Sequence, residues 1–162
     1  MRRWHSADMT RASAHQHGTP QQVIAQIERA CTERGIRFTD LRRRVFELIV
    51  WSDKPMKAYE LLELLKEERD GAAPPTVYRA LDFLLENHFI HKLESINAFV
   101  SCHHPVEAHT VPFFICDRCG RATEFCDSSV ARQLIDHANQ LGFTPHAQSL
   151  EVHGVCKECS HA

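Results

Sequence analysis

Residues 74–101 read PPTVYRALDFLLENHFIHKLESINAFVS. Pro74 and Pro75 suit the first turn of a helix, where a missing backbone N–H costs nothing. Val77, Leu81, Leu84 and Leu85 then recur at helical spacing and form an apolar stripe. Thr76, Tyr78, Arg79 and Asp82 fall on the other faces, and Asn87 and His88 close the helix. Ile90–Glu94 and Ala98–Ser101 flank the short turn Ser95-Ile96-Asn97, the pattern of a β-hairpin. Short helices followed by a hairpin are the order of a winged helix-turn-helix. In that motif the last helix enters the major groove and the hairpin flanks it.

The upstream sequence supplies the other helices. Thr19 suits an N-cap, Pro20 the first helical turn, and Gln22 completes a capping box. Val23, Ile24, Ile27, Ala30 and Cys31 share one face, and Gly35 is a stop signal. On that stripe Cys31 reads as a small buried hydrophobe. A second helix starts near Thr39 with Leu41, Val45, Phe46, Leu48 and Ile49, and Pro55 is expected to end that segment. Its basic run Arg42-Arg43-Arg44 reads as a solvated face, with phosphate contact as the alternative. A third helix covers about Ala58 to Glu68, with Leu61, Leu62 and Leu65 inward.

Downstream the periodicity changes. Val111–Ile115 and Arg121–Phe125 read as strands, Ser128–Leu141 as a helix stopped by Gly142, and Phe143–His153 as strand-like. The fold class is therefore α+β. We expect a flexible tail at 1–18, a winged-helix DNA-binding domain at 19–101, a His-rich hinge at 102–110, and a small α/β domain at 111–162, which the family resemblance described below implies is a zinc-binding dimerisation domain.

Composition bounds the alternatives. Of 162 residues, 43% are hydrophobic, which supports a packed core over wholesale disorder. No apolar run approaches the roughly 20 residues of a membrane span. The polar N-terminus lacks the apolar segment of a secretory signal. The expectation is a cytoplasmic protein, in which thiols stay reduced and cysteine clusters bind metal. The net charge of −2 is weakly unfavourable for a nucleic-acid binder. Residues 1–97, however, carry a net +1 against −3 for residues 98–162. Six of the seven cysteines and seven of the twelve histidines lie after residue 98.

Cys116-Asp117-Arg118-Cys119-Gly120 and Cys156-Lys157-Glu158-Cys159 form two Cys-x-x-Cys pairs separated by 36 residues. Four thiolates match the tetrahedral coordination of a structural zinc, and Gly120 permits the tight turn. A second set is looser. His91, Cys102, His103, His104, His109 and Glu124 offer nitrogen, sulfur and oxygen donors around the expected hinge. Spacing alone does not choose four of them. Arg79 can present a bidentate donor to guanine, and Tyr78 can reach phosphate or sugar. Catalytic zinc is disfavoured, because neither His-x-Glu nor His-Glu-x-x-His occurs. We expect no enzyme, no small-molecule substrate and no membrane partner. A thiol redox switch on the same pairs is a rival.

Four stretches in order resemble the ferric uptake regulator superfamily, and its zinc uptake regulator branch most closely. They are Pro74 to Leu81, Asn87 to Lys92, Phe114 to Gly120 and Glu151 to Cys156. The resemblance covers about residues 20–160. It implies a homodimeric, zinc-sensing repressor of zinc-uptake genes that binds operator DNA. It also implies two Zn2+ per subunit: a structural ion on Cys116, Cys119, Cys156 and Cys159, and a regulatory ion on His91, Cys102, His109 and Glu124. The thiolate at Cys102 separates this branch from iron and manganese sensors. DNA contacts would map to Tyr59 and Arg79, with Thr76 and Tyr78 grouped beside them. Ala73 stands where a DNA-contacting Lys is frequent, and Gln148 where iron regulators tend to carry His. Glu63 and Lys66 resemble residues that link neighbouring dimers on DNA, and Cys126 reads as a spectator. Iron- or peroxide-responsive members of the superfamily are the alternatives.

Overall fold

A computed structural model describes residues 18–68, 72–102, 111–125, 127–145 and 149–161. Four helices come first: α1 Pro20–Glu33, α2 Asp40–Val50, α3 Ala58–Glu68 and α4 Pro74–Glu86. The hairpin of β1 Ile90–Leu93 and β2 Ala98–Ser101 follows, hereafter the wing. Then come β3 Phe113–Cys116, β4 Ala122–Glu124, α5 Ser129–Gln140, β5 Glu151–Gly154 and the single turn α6 Lys157–Ser160. The second sheet has the order β4-β3-β5, with β4 antiparallel and β5 parallel to β3. The architecture is a winged helix followed by a small α/β unit, as expected.

Local chemistry accounts for the element boundaries. The Gln22 N–H donates to the Thr19 hydroxyl, and the Thr19 N–H donates to the Gln22 side chain at 2.8 Å. This reciprocal box satisfies two of the donors that a helix start leaves open. The Thr39 hydroxyl caps α2 in the same way, through the Arg42 N–H. At the wing turn Asn97 has φ +48, a left-handed conformation that asparagine tolerates. The helices bury Ile27, Val45, Phe46, Leu61, Leu65, Leu81 and Leu84 almost completely. Each such side chain stabilises the unit by roughly 1.5–3 kcal/mol. Phe38, Phe83 and Phe89 pack edge and face at 6.3–6.5 Å between ring centroids.

The basic run proves to be an internal brace. The Arg42 guanidinium lies 3.7 Å over the Phe83 ring. Arg43 pairs with Glu28 of α1 and with Glu47. Arg44 makes a two-pronged pair with Glu68 of α3, at 2.5 and 2.7 Å, and also meets Glu47. Isolated surface pairs are worth little, but this linked set ties α2 to both neighbours.

Several boundaries differ from the sequence reading. Helix α2 ends at Val50, five residues before Pro55, because Trp51 adopts the capping conformation there. Strand β3 begins at Phe113 rather than Val111 and runs into Cys116. Phe143–Pro145 form no strand, and β5 is confined to Glu151–Gly154. A tight turn leaves α5, with Gly142 at φ +72, and Phe143 stays exposed. The turn α6 was not anticipated, since four residues carry no period to detect. The tail histidines, His103, His104, His109, Cys126 and Gln148 lie outside the described residues.

Candidate metal centres

The first centre is built where strands end. Strand β3 delivers Cys116 at its last position, a tight turn through Gly120 (φ +73) follows Cys119, and β5 runs alongside toward Cys156. Because β3 and β5 are parallel, both Cys-x-x-Cys knuckles emerge at the same end of the sheet. Helix α6 then curls Cys159 back. All four sulfurs lie within 4.8 Å of one another. The Cys119 and Cys156 sulfurs stand 3.8 Å apart. Tetrahedral thiolates with a metal–sulfur bond of about 2.3 Å are separated by about 3.8 Å, so the donor set fits zinc.

The electrostatics agree with a metal cage. The backbone N–H groups of Cys119 and Cys156 point at the Cys116 sulfur, at 3.5 and 3.3 Å. They lower its pKa to about 6. Backbone and side-chain donors of Arg121 hold Cys119 below the ordinary thiol range. The Cys159 N–H lowers Cys156, but burial and the neighbouring Glu158, Cys159 and Cys116 outweigh it and push Cys156 up to about 12. Cys159 is lowered by its bond to Cys156, yet burial and the other sulfurs raise it overall. Four thiolates cannot all ionise in contact without a cation. Arg118 donates to the Cys159 carbonyl at 2.7 Å, and Arg121 stands 3.7 Å from Glu158, so basic groups rim the cage.

The second centre joins the two units. His91 pairs with Val100 across the wing, and the Cys102 N–H donates to the Phe89 carbonyl one step further on. His91 and Cys102 therefore leave the wing on the same face. Across the interface, Glu124 stands opposite Phe113 in the β3–β4 ladder and shares its face. The His91 and Phe113 ring centroids are 5.2 Å apart. As a result, the donors of His91, Cys102 and Glu124 lie within 4.8 Å of one another. Cys102 is fully buried, and Glu124 is only 6% exposed. A carboxylate and a thiol shut away together, beside an imidazole, make a donor set suited to zinc. The fourth expected ligand, His109, is outside the described residues, so three of the four are brought together.

The outward-facing residues sit where the pattern placed them. On α4, Val77, Leu81 and Leu84 are buried along with Ala80 and Phe83, while Leu85 is half-buried. Thr76, Tyr78 and Arg79 are exposed, and Tyr59 is exposed on the first turn of α3. Sequence reasoning missed Arg118 and Arg121 as the rim of the cysteine cage. Only their place inside and beside the first knuckle hinted at it. Cys31 is buried, as expected for a small buried hydrophobe, and its thiol is pushed up, chiefly by that burial.

The sequence profile of the ferric uptake regulator family matches residues 33–153. The zinc uptake regulation protein of Escherichia coli (strain K12) is 44% identical over 142 residues, spanning 87% of this chain and 83% of that one. A zinc uptake regulator in complex with zinc and DNA is 43% identical and superposes with a TM-score of 0.84, covering 89% of this chain and 97% of that one. The holo form of XcZur is 56% identical, with a TM-score of 0.81 over 87% of this chain and 99% of that one. Its apo form, at 54% identity and covering 88% and 98%, reaches only 0.52. The chain belongs to the ferric uptake regulator family.

Proposed function

We propose that the chain is a zinc-sensing transcriptional repressor that binds operator DNA as a homodimer and represses zinc-uptake genes when zinc is plentiful. The observation that carries this reading is the convergence of His91, Cys102 and Glu124 from the wing and from the second sheet. In this reading residues 19–101 are the DNA-binding domain, 102–110 the hinge and 111–162 the dimerisation domain. Each subunit takes two zinc ions, one on Cys116, Cys119, Cys156 and Cys159 and one on His91, Cys102, His109 and Glu124. Bound zinc would supply a nitrogen-, sulfur- and oxygen-coordinated cross-link across the hinge. His91 and Cys102 anchor the wing side of that link and Glu124 the other side, so occupancy favours the closed arrangement. The good fit to the holo XcZur and zinc–DNA regulator structures, against the poor fit to apo XcZur, supports this direction.

The second unit carries the argument for a dimer. Phe114 and Val152 face away from the wing on adjacent strands. Both are about half exposed, as are Leu134 and Ile135 of α5, and Leu141 and Phe143 are more so. Large apolar side chains left exposed in this number suit an interface, and a second copy would cover them. Two α4 helices so paired present Arg79 and Tyr78 to successive major grooves, with Tyr59 and Thr76 beside them. No described helix is long and apolar enough to cross a membrane. In this reading the protein works in the cytoplasm, with no catalytic role and no small-molecule substrate.

Fluorescence anisotropy of the purified protein with labelled DNA from upstream of a zinc importer tests this reading. Binding should appear as buffered free zinc rises and not with iron or manganese. Binding that ignores zinc, or follows iron, would overturn it.

A further inference from the structure

The seam between the units contains a polar cluster that uses none of the proposed zinc ligands or DNA contacts. In the β3–β5 ladder Glu151 stands beside Phe113, and His153 beside Ile115. Neighbours across a ladder share a face, so Glu151 and His153 point with Phe113 and Ile115 toward the wing. There Leu93, Ile96 and Val100 of the wing pack with Val111, Phe113 and Ile115. Strand β5 thus turns its polar residues to the seam and Val152 outward, the reverse of a strand that simply covers a core.

The polar residues meet the wing turn. The Glu151 carboxylate accepts the backbone N–H of Glu94 at 2.6 Å and that of Ser95 at 3.1 Å. It also accepts the Ser95 hydroxyl, and Ser149 donates to it at 3.1 Å. The Ser95 Oγ lies 2.8 Å from His153 Nε2, and His153 Nδ1 lies 2.9 Å from the Asp117 carboxylate. Asp117 sits inside the first cysteine knuckle, and its N–H donates to the Gly154 carbonyl at 2.8 Å. A continuous chain of hydrogen bonds therefore runs from the wing turn, through β5, to the cysteine cage. Charge-assisted bonds to two successive backbone donors fix orientation as well as distance.

We propose that Glu151, with Ser95 and His153, is a positioning site that holds the wing turn on the second unit without zinc and so sets how much zinc is needed to respond. This inference rests on the zinc-repressor reading for its DNA readout. If Glu151 holds a fraction of the protein closed before zinc arrives, the apparent zinc affinity rises with that fraction. Ser95, which is outside the proposed zinc ligands and DNA contacts, acts through the same equilibrium. Asp117 and His153 anchor the site on the cysteine knuckle.

The test uses full-length dimer with its cysteine site loaded. Glu151→Ala and the milder Ser95→Ala would be compared with wild type. Three readouts apply: amide hydrogen exchange at Glu94 and Ser95, chelator competition for the second zinc, and DNA anisotropy against buffered zinc. In Glu151→Ala the two amides should lose protection. The zinc midpoint should rise roughly tenfold, as expected for losing hydrogen bonds to a charged group at a half-exposed site. DNA affinity at saturating zinc should return to within about twofold of wild type, since a strong ligand restores closure. Ser95→Ala should move the midpoint in the same direction and less. Retained protection at Glu94 and Ser95, or an unmoved midpoint in chelator competition, would overturn the positioning role. A shifted zinc midpoint with DNA binding indifferent to zinc would uphold the positioning role and sink the repressor reading instead.

Discussion

Glu124 stands directly opposite Phe113 in the β3–β4 ladder, so the carboxylate emerges on the face where the Phe113 ring meets His91. This pairing brings a residue of the second sheet into a group with two residues of the wing. A one-residue slip of β4 would turn Glu124 to the opposite face and dissolve the centre.

Removing a donor from that group should uncouple zinc from DNA without unfolding the chain. His91→Ala and Cys102→Ser are each expected to leave the four-cysteine zinc bound while zinc-dependent DNA binding falls at least tenfold. Metal stoichiometry by mass spectrometry, taken beside DNA anisotropy, checks both halves. Unchanged zinc dependence in both variants would dismiss the site.

The four-cysteine cage should behave as part of the fold. Structural zinc in small modules supplies about 10–16 kcal/mol of apparent binding energy to folding. Cys116→Ser is therefore expected to lose tightly held zinc and to melt the 111–162 region, as seen by circular dichroism and sedimentation. A folded variant with full zinc content would contradict the assignment.

Arg79 should carry base reading and little else. It is exposed on α4 and pairs with no carboxylate in the ion pairs described. Arg79→Ala is expected to weaken specific DNA binding by about 1–3 kcal/mol and to leave the zinc affinity of the free protein unchanged. Equal losses on specific and random DNA would reassign it to phosphate contact.

Glu47 gives the helical unit an acid limit. Its hydrogen bond from Arg43, opposed by burial and supported by Arg44, holds the carboxyl below the ordinary glutamate value. A depressed folded pKa stabilises the native state above the unfolded value of about 4.3. That contribution disappears as pH falls through the lower folded value. Melting temperature measured from pH 6 to pH 3 should fall more steeply in wild type than in Glu47→Gln. Parallel curves would mean the brace is idle.

The apolar outer face of the second unit should be the dimer contact. Leu134→Glu is expected to shift the protein toward monomer in analytical ultracentrifugation and to weaken operator binding, with the cysteine site still loaded. An intact dimer would move the interface elsewhere.

The helices, their caps and the wing were legible in the chain because each is decided within a dozen residues. The Thr19–Gln22 box, the α4 stripe beneath Arg79 and the Asn97 turn depend on local hydrogen bonds and on the 3.6 and 2.0 periods. The paired knuckles at Cys116 and Cys156 were equally plain, since Cys-x-x-Cys spacing encodes its own geometry. Other features were not local. The parallel pairing of β5 with β3 brings both knuckles to one end of the sheet, and no residue near Cys156 announces it. The convergence of His91, Cys102 and Glu124 needs a hairpin register, a sheet register and an interface at once. The same holds for Glu151 beneath the Ser95 turn, 56 residues away in sequence. By itself the sequence determined the elements and the metal-binding chemistry. The tertiary structure decided which distant donors meet, because contacts across strands and units depend on register and packing, which no short window of residues contains.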